Sequence, residues 1–245
     1  MVGQSIQCAD TNSKIVITSA AADIAAAVWN GSSTVEGKFE WYGLNRGAPF
    51  SGLANTNCTS TGNCTGAPFS ISATWIADFV IRNPAFNLLN MTHAQFDTIF
   101  RLSQNEYASI ISTADPDLTD FRKAGARMIT WHGLADQLIF PNGTFNYYDR
   151  VLAEDPAAAD YYRVFSAPGL IHCAPSATSP FPNGTLNALI DWVEHGNAPT
   201  ALTAVSPPSA NGPVRTVKLC PYPLVARYKG GNINVTSSYE CASSF

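Results

Sequence analysis

The stretch Arg127-Met-Ile-Thr-Trp-His-Gly-Leu-Ala-Asp136 joins a short β-prone run to a loop that ends in an acidic residue. A second β-prone run, Tyr162-Arg-Val-Phe165, leads through another loop to His172. Helical patterns precede, separate and follow these runs, over roughly 117–125, 142–155 and 183–194. This alternation predicts an α/β fold and the closing section of a parallel sheet. Functional groups in such sheets lie in loops at the carboxyl ends of the strands, where Asp136 and His172 both fall.

The first 110 residues predict a different kind of structure. Residues 15–29 read as the end of a strand followed by an Ala-rich helix, with Thr18 or Ser19 as its N-cap. Residues 31–68 are rich in Gly, Asn, Ser and Thr and predict irregular chain. Helices are expected over 71–82 and from a capping box at Thr92-His-Ala-Gln95 to about Gln104. Short helices among loops are typical of a lid.

The predicted organisation is therefore a distal part of a lid domain, residues 1–110, followed by the C-terminal part of an α/β core, residues 111–245. The chain of 245 residues is long enough for one large α/β domain. The tail from Thr200 is rich in proline and predicts irregular structure.

Composition excludes several classes of protein. Hydrophobic residues make up 46% of the chain and charged residues 13%, which indicates a folded globular protein. The formal net charge is −4 and there is no basic run, so nucleic-acid binding is not expected. No apolar stretch approaches 18 residues, and no membrane span is expected.

Glycosylation signals and cysteines indicate a secreted protein. Acceptor tripeptides of the form Asn-x-Ser/Thr occur at seven positions, Asn30, Asn57, Asn63, Asn90, Asn142, Asn183 and Asn234. Chance alone would give roughly three, although accidental matches in an Asn/Thr-rich chain remain an alternative. Six cysteines suit an oxidising compartment, with expected local disulfides Cys58–Cys64 and Cys220–Cys241.

The N-terminus does not fit this compartment. Residues 1–8 have neither the basic start nor the apolar core of a signal peptide. The chain also contains no Gly-x-Ser-x-Gly and no Cys-Ser pair. A secreted-type chain without a leader or a nucleophile is expected to be a fragment whose beginning has been lost.

Asp136 and His172 have the order and strand context of the acid and base of a serine hydrolase. A hydroxyl nucleophile needs a base to take its proton and a carboxylate that holds the imidazole in the right tautomer. In α/β-hydrolases the chain order is Ser, then Asp or Glu, then His. The alternative is an α/β protein that places an Asp and a His after adjacent strands without any catalytic role.

Cys173, next to the base, supports the hydrolase interpretation. A disulfide from Cys173 to a residue beside the nucleophile would tie the two loops together, because disulfides hold their Cα atoms about 5.5 Å apart. The alternative partner is Cys8. A zinc site formed by His132, Asp136 and His172 is a weaker possibility, since His132 directly follows the strand and is expected to be a structural histidine.

Three segments resemble the tannase and feruloyl esterase family, particularly its fungal members. These are residues 117–139, which contain His132-Gly-Leu-Ala-Asp136, residues 166–173, which end in His172-Cys173, and residues 189–199. Residues 17–29, followed by Trp41-Tyr-Gly43, resemble more weakly the distal part of the family's lid.

The resemblance implies an α/β-hydrolase core with a large lid inserted before the acid strand. It implies that Asp136 is the orienting acid, His172 the general base and acid, and Cys173 one end of a disulfide to a Cys-Ser pair upstream of Met1. Substrates in the family are esters of hydroxylated aromatic acids, such as gallates and ferulates. The resemblance implies no cofactor in this chain, since the family's structural calcium would lie in lid residues before Met1. The lid aromatics Trp41, Tyr42 and Trp75 are candidate substrate contacts, although lid aromatics also form small cores of their own.

Overall fold

The computed structural model describes residues 1–8, 12–59, 63–173, 180–207 and 213–243, apart from the side chains of Cys8 and Ala54. The N-terminal strands β1 (Ser5–Cys8) and β2 (Ser13–Val16) form an antiparallel hairpin. Helix α1 (Ser19–Asn30) follows, with Thr18 as the N-cap whose hydroxyl accepts a hydrogen bond from Ala21 N–H at 3.1 Å. Gly31 ends the helix at φ +83°, and a Cβ there would collide with the carbonyl oxygen of Trp41.

The segment 31–68 is less irregular than its composition predicts. Strands β3 (Ala54–Cys58) and β4 (Cys64–Pro68) pair antiparallel, and the disulfide Cys58–Cys64 joins two residues that face each other in the register. Neither strand carries an alternating apolar pattern. The disulfide holds the two strands together, so the hairpin does not depend on an apolar face. The sequence therefore carries no alternating pattern from which this hairpin could be predicted.

Helices occupy the rest of the lid segment. Helix α2 (Ser70–Thr74) continues as a π-helical turn (Trp75–Val80), and a 3₁₀ turn (Leu88–Asn90) precedes helix α3 (His93–Ile111). The Thr92–Gln95 capping box begins α3, as the sequence predicted. The predicted end near Gln104 is wrong, because tertiary contacts support the last turns: Tyr107 donates its hydroxyl to Phe79 O at 2.8 Å, and Glu106 pairs with Arg82.

The core contains the predicted parallel strand pair. Helix α4 (Thr119–Lys123) precedes strand β5 (Met128–Gly133), and helix α5 (Pro141–Glu154) connects it to strand β6 (Tyr162–Ala167), which runs parallel to it. The prediction that His132 directly follows the strand is wrong: His132 and Gly133 both stay in β5, and Gly133 pairs with Ala167. A Cβ on Gly133 would collide with the carbonyl oxygen of Leu170, so this glycine serves a close packing contact and not a turn.

The C-terminal part is more regular than its proline content predicts. Strand β7 (Phe181–Asn183), helix α6 (Thr185–His195), and strands β8 (Leu202–Val205) and β9 (Thr216–Leu219) follow β6, with the three strands in one antiparallel sheet. Strands β10 (Val225–Tyr228) and β11 (Tyr239–Ala242) form a hairpin, and the predicted disulfide Cys220–Cys241 is present. These strands are only three or four residues long, too short to show a clear period in sequence.

Two clusters of buried side chains hold the core together. The first lies between α5 and β6 and contains Tyr148, Val151, Ala158, Tyr161, Tyr162 and Val164. The second joins the carboxyl end of β6 to the C-terminal sheet through Phe165, Ala167, Leu170, Leu202, Ala204 and Leu219. Packing on both sides therefore fixes β6 and the start of the loop that carries His172. No helix in the described residues is long and apolar enough to cross a membrane.

Candidate active site

Asp136 lies in the loop that follows β5 and is almost completely buried, with 5% of its surface exposed. Its Oδ1 accepts hydrogen bonds from the backbone N–H groups of Leu138 and Ile139 at 2.9 and 2.8 Å. The loop is attached to the neighbouring β6 loop because Ala135 N–H donates to Leu170 O at 3.1 Å. The carboxylate is therefore held by its own loop, and that loop is held by the next one.

His172 lies in the loop after β6 and meets the Asp136 carboxylate. Its Nδ1 is 3.0 Å from Asp136 Oδ2 and 3.2 Å from Oδ1. Its backbone N–H donates to Gln137 Oε1 at 3.2 Å, which ties the base loop to the acid loop a second time. An ionised carboxylate can only accept, so Nδ1 carries a proton and Nε2 of the neutral ring is an acceptor. The structure thus brings together the two residues that the sequence singled out.

The Asp136 carboxyl is stabilised in its charged form. Burial by itself raises the pKa of this carboxyl, but the hydrogen bonds from Ile139 and Leu138, together with the His172 ring, outweigh burial and leave the pKa below its usual value. Asp136 therefore stays ionised at neutral pH and can stabilise an imidazolium at His172.

His132 is the second histidine beside this carboxylate. Its Nε2 is 2.9 Å from Ile139 O and 3.3 Å from Asp136 Oδ2, and its Nδ1 is 2.8 Å from Thr144 Oγ1. The described residues contain no group of three or more His, Cys, Asp or Glu side chains arranged to hold a metal ion. The zinc alternative therefore has no ligand set among the described residues.

Cys173 adopts a left-handed backbone conformation, with φ +45°, and carries an exposed free thiol within the described part of the chain. The alternative disulfide to Cys8 falls on a side chain that lies outside the described residues. A thiol on this loop, beside the base, is available to a cysteine on another segment.

Residues 44–48 pack directly on the loops that carry Asp136 and His172. A buried cluster joins Leu44 and Ala48 to Ala135 of the acid loop, with Phe140 and Ile171 packed against it. Asn45 adds a hydrogen bond from its side-chain amide to Leu134 O at 3.2 Å. The acid loop, the base loop and residues 44–48 therefore form one packed unit.

An apolar cavity of about 610 Å³ lies between the helices of residues 70–111 and Phe140. Trp41 and Trp75, two of the three aromatics that the sequence singled out, line this cavity, whereas Tyr42 packs against Phe39 and Trp41 instead. Three further aromatic residues line the cavity, and the sequence analysis did not predict them as site residues: Phe96, Phe100 and Phe140. Phe96 and Phe100 lie on one side of α3. Their spacing predicts that this side is buried, but it does not identify the surface that packs against it.

The glycosylation acceptors differ in exposure. Five asparagines are exposed, namely Asn30, Asn57, Asn63, Asn90 and Asn183, whereas Asn142 and Asn234 are half-buried. Asn142 lies in the first turn of α5. Thr144, the threonine of the same tripeptide, has its hydroxyl hydrogen-bonded to His132.

A family model described as "Tannase and feruloyl esterase" matches residues 1–242. The chain belongs to this family. A probable feruloyl esterase of Arthroderma benhamiae is 36% identical over 250 residues, which cover 100% of this chain and 46% of the relative. A mono(2-hydroxyethyl) terephthalate hydrolase of Piscinibacter sakaiensis is 41% identical over 131 residues, 52% of this chain and 21% of that protein.

Solved structures of the tannase and feruloyl esterase family share the fold. The tannin acyl hydrolase from Aspergillus niger matches with a TM-score of 0.82 and 26% identity, covering 97% of this chain and 45% of its own. Feruloyl esterase B from Aspergillus oryzae matches with a TM-score of 0.75 and 23% identity, covering 97% and 52%. The α/β-hydrolase type of fold predicted from the sequence is confirmed. The chain spans about half the length of the relatives it matches.

Proposed function

We propose that the chain supplies the acid and base of a serine carboxylic ester hydrolase. The observation that carries the proposal is the 3.0 Å contact between His172 Nδ1 and Asp136 Oδ2, in a member of the tannase and feruloyl esterase family. A non-catalytic secreted glycoprotein would be favoured by a separation well beyond 3.2 Å, the limit for a hydrogen bond between acid and base. No observation favours that alternative.

The chemistry follows from the tautomer of His172. Its Nε2 takes the proton of a serine hydroxyl as the oxygen attacks the ester carbonyl, and Asp136 stabilises the imidazolium that forms. The same proton passes to the leaving alcohol when the tetrahedral intermediate collapses. Water then repeats the sequence on the acyl-enzyme, with Nε2 as base, and releases the carboxylic acid.

Esters of hydroxylated aromatic acids are the proposed substrates. The aromatic and apolar lining of the lid cavity suits a flat ring, because ring pairs add specific edge and stacking contacts to the burial of apolar surface. Relatives named as feruloyl esterases and a tannin acyl hydrolase support this substrate class.

The nucleophile is proposed to lie on polypeptide that this chain does not include, which would then be its partner. The chain covers 46% of the Arthroderma benhamiae relative and 45% of the Aspergillus niger tannin acyl hydrolase, which supports this, and so does the free thiol of Cys173, the proposed end of a disulfide to that segment. The chain alone should therefore be inactive. Two disulfides and five exposed acceptor asparagines support a secreted glycoprotein.

The test compares the chain alone with the full-length gene product. The chain alone should hydrolyse neither methyl ferulate nor methyl gallate, whereas the full-length protein should hydrolyse at least one. His172→Ala should abolish this activity, and His195→Ala, a change in an exposed histidine of α6, should leave it intact. A full rate in the His172→Ala protein would contradict the proposal.

Thiol labelling tests the proposed partner separately. In the folded chain, the exposed thiol of Cys173 should react with 5,5′-dithiobis(2-nitrobenzoate). The Cys173→Ser protein should lack this reaction. In the full-length protein the same thiol should be protected until a reductant is added. Equal reactivity in both proteins would reject the disulfide.

A further inference from the structure

We propose that His132 is a positioning residue that sets the orientation of the Asp136 carboxylate. The inference rests on the proposed function, in which Asp136 orients His172. His132 does not reach the reacting atoms in this role; it acts through the acid loop. The sequence suggested only that it is a structural loop histidine, without saying what it holds.

The partners of the ring define its tautomer. Ile139 O, 2.9 Å from His132 Nε2, is a carbonyl oxygen and can only accept, so Nε2 carries a proton. Asp136 Oδ2 lies 3.3 Å from the same nitrogen. In the neutral ring Nδ1 is then an acceptor, and the Thr144 hydroxyl donates to it at 2.8 Å. Each ring nitrogen has a partner, and the side chain is only 13% exposed, so the ring is held in one orientation.

These contacts close the acid loop at both ends. Asp136 Oδ1 accepts from the N–H groups of Leu138 and Ile139, and the carbonyl of the same Ile139 accepts from His132. Strand β5, the loop 136–139 and the first turn of α5 are therefore linked through one imidazole. Without it, the Ile139 carbonyl loses its donor and the loop is free to rotate the carboxylate.

The carboxylate orientation matters because it holds both oxygens against His172. Oδ1 receives the two backbone N–H groups and lies 3.2 Å from His172 Nδ1, whereas Oδ2 makes the shorter contact of 3.0 Å with that nitrogen and lies near His132. A rotation that turns the carboxylate away from His172 leaves the base without its orienting acid. Misplacement of a catalytic group by about 1 Å can cost about a hundredfold in rate.

The test uses two amides that keep different halves of the imidazole. In His132→Gln the amide nitrogen can occupy the place of Nε2 and donate to Ile139 O, whereas in His132→Asn it lies near the place of Nδ1. In the full-length protein, His132→Asn should lower kcat for a ferulate or gallate ester about 10- to 100-fold with KM within about 2-fold. His132→Gln should recover kcat to within about 3-fold of the wild type. His195→Asn, the same change at an exposed position, is the control.

An activity-independent measurement on the chain itself separates this inference from the proposed function. The His172 Nδ1–H proton should give a slowly exchanging, downfield nuclear magnetic resonance signal in the wild type and in His132→Gln. It should exchange rapidly in His132→Asn, while the circular dichroism of all three proteins stays the same. A signal that persists in His132→Asn, or equal loss in both variants, would overturn the role of His132. If the full-length wild-type protein did not hydrolyse aromatic esters, the proposed function would be rejected. The nuclear magnetic resonance result on the role of His132 would remain valid.

Discussion

Glu40 and Asp97 are two carboxyl groups that repel each other electrostatically; Asp97, in α3, is buried and Glu40 is half-buried. Both oxygens of Glu40 and Oδ1 of Asp97 are buried and have no hydrogen-bond partner among the described residues. Asp97 Oδ2 accepts from Val35 N–H at 2.9 Å, and His93 Nε2 lies 3.6 Å from Oδ1. Two carboxylates with three unsatisfied oxygens are costly, since a buried acceptor without a donor loses its hydration without compensation. We expect Glu40→Gln to stabilise the protein at neutral and alkaline pH.

The sign follows from the pKa of Glu40. Burial raises this pKa above the ordinary 4.5, and Asp97 raises it further, while His93 and Arg101 oppose the increase. A carboxyl whose pKa is raised by folding favours the folded state below its unfolded value. That contribution is lost as pH rises from 4.5 through the folded pKa. Glutamine stays neutral at every pH and offers a donor to Asp97, so this loss should disappear.

The size of the effect comes from the unsatisfied groups. One buried polar group left unsatisfied costs about 1–3 kcal/mol, so Glu40→Gln should gain about that much at pH 8 and almost nothing at pH 4. In a chain of this length, 2 kcal/mol corresponds to an increase in Tm of roughly 4–8 °C.

The assay is thermal and urea unfolding from pH 4 to pH 8. Glu36→Gln, a change in an exposed residue of the same loop, is the matched control and should leave the pH dependence as in the wild type. A Glu40→Gln protein that is equally destabilised at pH 4 and pH 8 would refute the reasoning. So would a wild type that EDTA destabilises at pH 8 while Glu40→Gln is unaffected, because this would assign the oxygens to a bound cation instead of a proton.

Two further changes test other parts of the fold. Folding lowers the pKa of Asp136, so the contribution of its carboxylate to stability is present above pH 3.8 and is lost as pH falls through the folded pKa. Asp136→Asn should therefore flatten the acid side of the curve of unfolding free energy against pH, measured by urea unfolding from pH 2 to pH 5. Replacing Cys220 and Cys241 by serine opens a loop of 21 residues and should cost about 3 kcal/mol, against about 2 kcal/mol for the six-residue loop of Cys58 and Cys64, measured by urea unfolding at pH 7. A steeper acid limb in Asp136→Asn, or a larger loss from the shorter loop, would contradict these expectations.

The parts of the fold that local sequence specifies were predictable. Helix α1, the capping box of α3 and the β5–α5–β6 unit depend on caps and apolar spacing within a few residues, and all are present. The meeting of Asp136 and His172 followed from one topological fact, that the carboxyl ends of adjacent parallel strands lie at the same edge. Sequence reasoning needed no long-range contact to place them.

The features that were missed depend on partners distant in sequence. Helix α3 extends to Ile111 because Phe79 and Arg82 support its last turns. Strand β9 exists because β8, more than ten residues earlier, offers its edge. Glu40 interacts electrostatically with Asp97, 57 positions later, and no pattern around either residue predicts that interaction. Where the stabilising contact is made by another element, local propensity carries no information about it.

The geometry of the acid and base depends on contacts that lie within this chain. Asp136 is held by its own loop, His172 by Gln137, and the loop by the ring of His132. The packed cluster around Leu44 and Ala135 adds support from the lid, again from the same chain. Since none of these contacts involves the proposed nucleophile, the orientation of the imidazole can be established before a serine is present. A serine placed there as proposed would meet a base whose tautomer is already set, and the reorganisation left to the reaction would be correspondingly small.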